Sequence, residues 1–170
     1  YVTEALAGRV TRVDPRTGAT STLVSGLPPA SPLIGIGGPM DVAFLDGVPY
    51  VLVSAVGETW LPTPQIDGIY RVDGPDSFTV VANIGAFSSS NLPDPSIEIA
   101  LLNGLQYALE VFRGDFLVTD GHHNRVLRAT LDGEQLLVKF AWGAPVIHAE
   151  NTFSFHRRVP GLPISGMAWW

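Results

Sequence analysis

Cysteine is absent from this sequence, which excludes disulfide staples and thiolate metal sites. Basic charge is scarce. Nine arginines and one lysine face sixteen acidic residues, leaving a formal net charge of −6. Sequence-independent nucleic-acid binding needs a basic face, so no nucleic-acid partner is expected. Long apolar runs are also missing. The longest candidate, residues 47–57, begins beside Asp46 and falls short of the roughly 18 residues a membrane helix requires, so no membrane span is expected. There is no Asn-x-Ser/Thr sequon, and no basic segment with a cleavage pattern stands at Tyr1.

What is present is apolar and rich in turns. Apolar residues make up 46% of the chain, enough for a core, and charged residues only 15%, which excludes a disordered polyampholyte. The 18 glycines and 14 prolines do not recur every third residue, so collagen is excluded. Such a composition points to short strands joined by turns, in one domain at this length.

Repetition organises the chain. Val10-Thr11-Arg12-Val13-Asp14, Ile69-Tyr70-Arg71-Val72-Asp73 and Val126-Leu127-Arg128-Ala129-Thr130 each read as an alternating strand with Arg in the same phase, followed by a turn and a second strand. A second unit interleaves: residues 40–44 run through Asp46-Gly47 into Tyr50-Val51-Leu52-Val53, and residues 105–112 run through Arg113-Gly114 into Phe116-Leu117-Val118. Ile164, Ser165-Gly166 and Trp169-Trp170 start it a third time, and Tyr1-Val2-Thr3 fits its second half. In order, the unit is four antiparallel strands, A to D, repeated about every 58 residues. The expected fold is all-β: a β-propeller fragment of about three four-stranded blades, with blade remnants at 1–27, 39–83 and 104–142 and a further start at 160–170. A β-sandwich is the alternative, and would place residues 69–73 and 126–130 in one sheet. The A–B and C–D turns are short, whereas residues 25–39, 56–67, 83–104 and 143–160 are long. All long connections are of the B–C or D–A kind and gather on one face, the expected place for binding.

The residues from Tyr107 to Arg128, with Tyr1-Val2-Thr3-Glu4-Ala5, Gly8-Arg9-Val10 and Gly38-Pro39-Met40-Asp41-Val42-Ala43-Phe44, resemble the ScyD/ScyE family. The resemblance runs from Tyr1 to Phe140. It implies a secreted or periplasmic six-bladed propeller, similar to NHL-repeat and SMP-30-like folds. Six blades need about twice this length, so the chain reads as part of a ring. Residues 146–159, with His148, His156, Arg157 and Arg158, depart from the family's pattern.

Asp120-Gly121-His122-His123-Asn124 is the densest polar cluster, in the B–C loop of the third unit. Carboxylate, imidazole and amide groups at this spacing suit ligand contact or a cation, and equally a turn in which Asp120 and Asn124 bind backbone amides. Adjacent histidines in an extended loop are expected to point to opposite sides. Leu102-Asn103-Gly104-Leu105 resembles the phrase around a metal-binding Asn in SMP-30-like lactonases. With Glu98 and Asp120 it implies an oxygen-rich calcium-type site, and Asn103 is expected to face the channel mouth. Arg12, Arg71 and Arg128 are expected in packing or surface ion pairs, and Tyr50 and Phe116 as wedges between blades. The expected function is an extracytoplasmic binding or scaffold module whose ligand face uses Asp120, His122, His123, Asn124 and Asn103. An SMP-30-like metal-dependent hydrolase is the alternative. Open flanks carrying Val10, Val13, Leu136 and Val138 would favour self-association of half-propellers.

Overall fold

The computed structural model describes residues 1–93 and 100–131 in full and the backbone of residues 136–141. Glu98, the turn at Asp132-Gly133, the segment 146–159, the strand start at 160–170 and the side chains of Leu136 and Val138 lie outside the described residues.

The strands form three antiparallel meanders. The first holds β1 (Val2–Glu4), β2 (Arg9–Val13) and β3 (Thr20–Val24). The second holds β4 (Gly38–Leu45), β5 (Val48–Ser54), β6 (Gly68–Gly74) and β7 (Ser77–Asn83). The third holds β8 (Gln106–Phe112), β9 (Asp115–Asp120), β10 (Arg125–Ala129) and β11 (Leu136–Ala141). Strands adjacent in sequence are adjacent in each sheet. β6 and β10 belong to different sheets, contrary to the sandwich alternative.

Turn chemistry sets the hairpins. Asp46 and Gly47 have φ of 51° and 80°, and Arg113 and Gly114 have φ of 54° and 84°. Two successive left-handed residues match the right-handed twist of the flanking strands, which is why two-residue hairpins take this form. Arg113 is an unusual occupant, and its guanidinium carbon lies 5.0 Å from the ring centroid of Phe112.

The middle sheet is covered on both faces, which explains the unbroken apolar run in β5. Tyr50, Leu52 and Ile69 are buried with Leu109, Phe116, Val118 and Leu127 of the third sheet. Val51, Val53 and Tyr70, in the opposite phase, are buried with Val10, Val24 and Leu27 of the first sheet. Tyr50 and Phe116 meet as a tilted pair at 4.8 Å, the wedge the sequence suggested. β4 and β8, the first strands of the second and third sheets, are neighbours: the Leu109 amide donates to Asp41 Oδ2 at 2.9 Å.

Arg71 pairs with Asp73 at 2.7 Å and Arg128 pairs with Asp115, as expected of strand-surface arginines. Arg12 lies opposite Ser21 in the β2–β3 ladder. Two expectations need correction. Val10 is not on an open flank; it is fully buried against the middle sheet, while Val13 is partly exposed. The connection from residue 83 to 104 is not all loop. It opens with a short helix, α1 (Ile84–Ser90), where the Asn83 side chain accepts the Ala86 amide proton at 2.9 Å and supplies the N-cap.

Candidate functional site

The ends of β5 and β9 and the starts of β6, β8 and β10 meet at the long-connection end of the sheets. Glu58, Asp67, Gln106, Asp120, His123 and Arg125 are all buried there, in a chain with few charges. Buried charge requires partners, and they form two linked groups.

Asp120 closes the first. Its Oδ1 accepts from the Leu105 amide at 3.1 Å, and its Oδ2 lies 3.0 Å from Arg125 Nε and 3.2 Å from His123 Nδ1. Burial would raise the Asp120 pKa; His123 and Arg125 outweigh it and hold the carboxyl below its ordinary value. Gly104 makes the approach possible. At φ +76° it sits where an added Cβ would come within 2.5 Å of Asp120 Oδ1. Arg125 also donates to Asn91 O at 2.5 Å, and its Nη2 lies 2.9 Å from His123 Nδ1. His123 Nε2 lies 3.1 Å from Leu101 O.

His122 grips the same stretch of backbone. Its Nε2 accepts from the amides of Ala100 and Leu101, each at 3.1 Å. A nitrogen facing two N–H groups carries no proton, so the ring is neutral. Its pKa lies below the ordinary value because of burial first and His123 second, against the opposing pull of Asp120 and Glu58. The expectation of opposed histidines is therefore corrected. The two rings are 5.6 Å apart, and both hold the segment at residues 100–101. They reach it together because residues 121–124 form a tight turn, closed by Asn124 at φ 50°, rather than continuing as extended strand.

Asn103 is the centre of the second group. Its amide donates to Glu58 Oε1 at 2.9 Å, its side-chain nitrogen donates to Asp67 Oδ2 at 3.0 Å, and its carbonyl accepts from Gln106 Nε2 at 2.9 Å. Ser54 Oγ donates to Gln106 Oε1 at 2.7 Å and accepts the Gln106 amide at 2.9 Å. Asp67 Oδ1 accepts from the Val56 amide at 2.7 Å and the Gly57 amide at 3.1 Å. The Asn103 side chain is thus tied to Asp67 between β6 and α1: the Gly85 amide donates to Asp67 O at 3.0 Å, and a Cβ on Gly85 would come within 3.0 Å of Asn103 Nδ2.

Burial, aided by Glu58, pushes the Asp67 carboxyl up to about 6 against the hydrogen bonds that favour ionisation. An unfolded carboxyl titrates near 3.8, so between these values the folded chain holds the extra proton. Stability from this group therefore falls as pH rises from about 4 to 6 and is flat above; the ionised form costs about 3 kcal/mol at neutral pH. Carbon-detected NMR of the Asp67 carboxyl is expected to give a midpoint near 6. A midpoint at its ordinary value would refute this account of the burial.

Of the sequence candidates, the structure brings Asp120, His122 and His123 into one network with Arg125, and ties Asn103 to Glu58, Asp67 and Gln106. Among the described residues, no three His, Asp or Glu side chains converge to hold a metal. The oxygens of Asp120 face protein donors. Glu58, Asp67, Gln106 and Arg125 were not singled out from sequence. Their one signal was charged or amide side chains at strand ends in a charge-poor chain.

The long connections expose large apolar side chains: Leu33, Trp60, Ile66, Leu92 and Leu102. Leu6 is exposed in the β1–β2 connection at the same end. The chain matches no family model, no curated protein and no solved structure.

Proposed function

We propose that the chain is a non-catalytic binding or scaffold module, a ScyD/ScyE-like propeller fragment working outside the cytoplasm, whose ligand face is built from the B–C and D–A connections. The observation that carries the ligand face is the set of exposed apolar side chains on those connections, Trp60 and Leu102 among them, at the end of the sheets where the buried polar groups are hydrogen-bonded to one another. Exposed apolar groups on loops held by a fixed scaffold are the usual make-up of a contact surface. Three consecutive antiparallel meanders packed flank to flank support the propeller reading. The extracytoplasmic assignment rests on the family resemblance alone. A metal-dependent hydrolase would need carboxylates open to a cation, and the hydrogen bonds of Asp120 and Asp67 favour the binding reading over it.

Titration of isotope-labelled chain with a set of apolar fragments tests this. Amide shifts are expected at Gly57, at residues 101–105 and at the Trp60 indole. Shifts confined to Gly47, Gly74 and Gly114, at the short-turn end, would overturn the assignment.

A further inference from the structure

Charge is sorted between the two ends of the sheets. At the short-turn end every described turn carries an exposed charge: Asp14 and Arg16, Asp46, Asp76, and Arg113. At the long-connection end the pattern reverses. Residues 25–37, 55–67, 84–93, 100–105 and 121–124 contain no Lys or Arg, and their only acids, Glu58 and Asp67, are 2% and 1% exposed. His122 faces two amide donors there and is neutral. The β1–β2 connection is likewise uncharged, and the Glu4 and Arg9 that flank it pair with each other at 2.6 Å.

What this end exposes instead is large and apolar, and it stands on four separate connections: Leu6 at 75%, Leu33 at 70%, Trp60 at 54% and Leu102 at 45%. The turns that carry these side chains close their own hydrogen bonds. The Gly8 amide donates to Ala5 O at 3.3 Å, and the Ile34 amide to Ser31 O at 3.1 Å. Around Trp60 the Leu61 amide donates to Glu58 O at 3.0 Å and the Gln65 amide to Val56 O at 2.8 Å; beside Leu102 the Gly104 amide donates to Leu101 O at 3.0 Å. A protein partner is usually selected by complementary charge, and among the described residues this end offers none. A bilayer asks for the opposite: backbone donors already paired, no exposed charge, and Trp and Leu free to enter the interface. The match is to a lipid surface without net charge, because a chain of net charge −6 is repelled by an anionic one.

We propose that the long-connection end seats on a bilayer of zwitterionic lipid, with Leu6, Leu33, Trp60 and Leu102 entering the interface and the charged short turns directed to water. This rests on the ligand-face reading and names its partner.

Sedimentation with sucrose-loaded phosphatidylcholine vesicles tests this. The chain is expected to pellet with the vesicles, and a double variant, Trp60→Ser with Leu102→Ser, to partition about tenfold less. Phe112→Ser, 46% exposed at the short-turn end, is the control and should pellet like the parent. Replacing part of the lipid with phosphatidylserine should not strengthen binding, and high salt should not release it. A spin-labelled lipid is expected to broaden the amides at residues 59–61 and 101–103 and to leave those at 46–47 and 113–114 sharp. Failure to pellet, equal loss in the Phe112 variant, or binding that requires phosphatidylserine and is released by salt would each overturn the proposal. So would dimerisation without vesicles that the double variant removes, which would make this end a contact between copies. If vesicles fail while apolar fragments still shift Gly57 and residues 101–105, the ligand face stands and the lipid is refuted; if both fail, the ligand face falls as well.

Discussion

Replacing Arg125 with methionine is expected to lower the unfolding free energy by about 3–5 kcal/mol, the range for removing one partner from a buried ion pair. The substitution keeps much of the side chain's volume, so the loss reports the charge. Asp120 is fully buried, and without the guanidinium it keeps its backbone donors but loses its cation. Asn91 O loses a donor in the same step, and the hold of α1's C-terminal end on the third sheet goes with it. Arg71, paired with Asp73 at an exposed position, serves as the control: Arg71→Met is expected to leave the urea midpoint unchanged within error, because exposed pairs contribute little. Adding Asp120→Asn to Arg125→Met should recover part of the loss, since the neutral amide removes the stranded charge. An Arg125→Met midpoint equal to that of the unmodified chain would mean that the network does not hold the loops.

The strands were legible because period-2 alternation and turn residues are local signals. Asp46-Gly47 and Arg113-Gly114 mark their hairpins whatever surrounds them, and the Arg phase at 71 and 128 falls on strand positions that reach Asp73 and Asp115. The helix at residues 84–90 was not legible. Its sequence, Ile-Gly-Ala-Phe-Ser-Ser-Ser, has weak helix propensity, and it is fixed by the Asn83 cap and by packing of Gly85 against Asp67 and Asn103. The site was half legible for a related reason. Asp120, His122 and His123 are adjacent in sequence, so their density is visible. Arg125 reaches Asp120 across the β9–β10 hairpin, Leu101 and Asn91 come from the long connection before β8, and the Glu58–Asp67–Asn103 group joins residues that flank two different sheets. The direction of a histidine ring depends on the turn beneath it. Residues 121–124 turn tightly where an extended loop was expected, and both rings swing to one side.

Phe116→Ala is expected to cost about 3–5 kcal/mol, as for other large aromatic side chains deleted from a core. Phe116 is 1% exposed and lies between Ala129 and Val111 in its own sheet, with Tyr50 of the middle sheet 4.8 Å away. Truncation therefore opens a cavity at the joint between two sheets, where neither backbone can close in without breaking its ladder. Phe112, four residues earlier and 46% exposed at the hairpin turn, is the matched control; Phe112→Ala should cost well under half as much. The location of the damage is as informative as its size. Leu52 and Ile69 of the middle sheet share one buried cluster with Val118 and Leu127 of the third. If that cluster is one cooperative unit, amide exchange should speed up in β5 and β6 as much as in β9 and β10, with a single melting transition at a lower midpoint. Faster exchange confined to β8, β9 and β10, with β5 and β6 unchanged, would show that the sheets are stable separately. Their contact would then be a surface between independent units rather than a shared core.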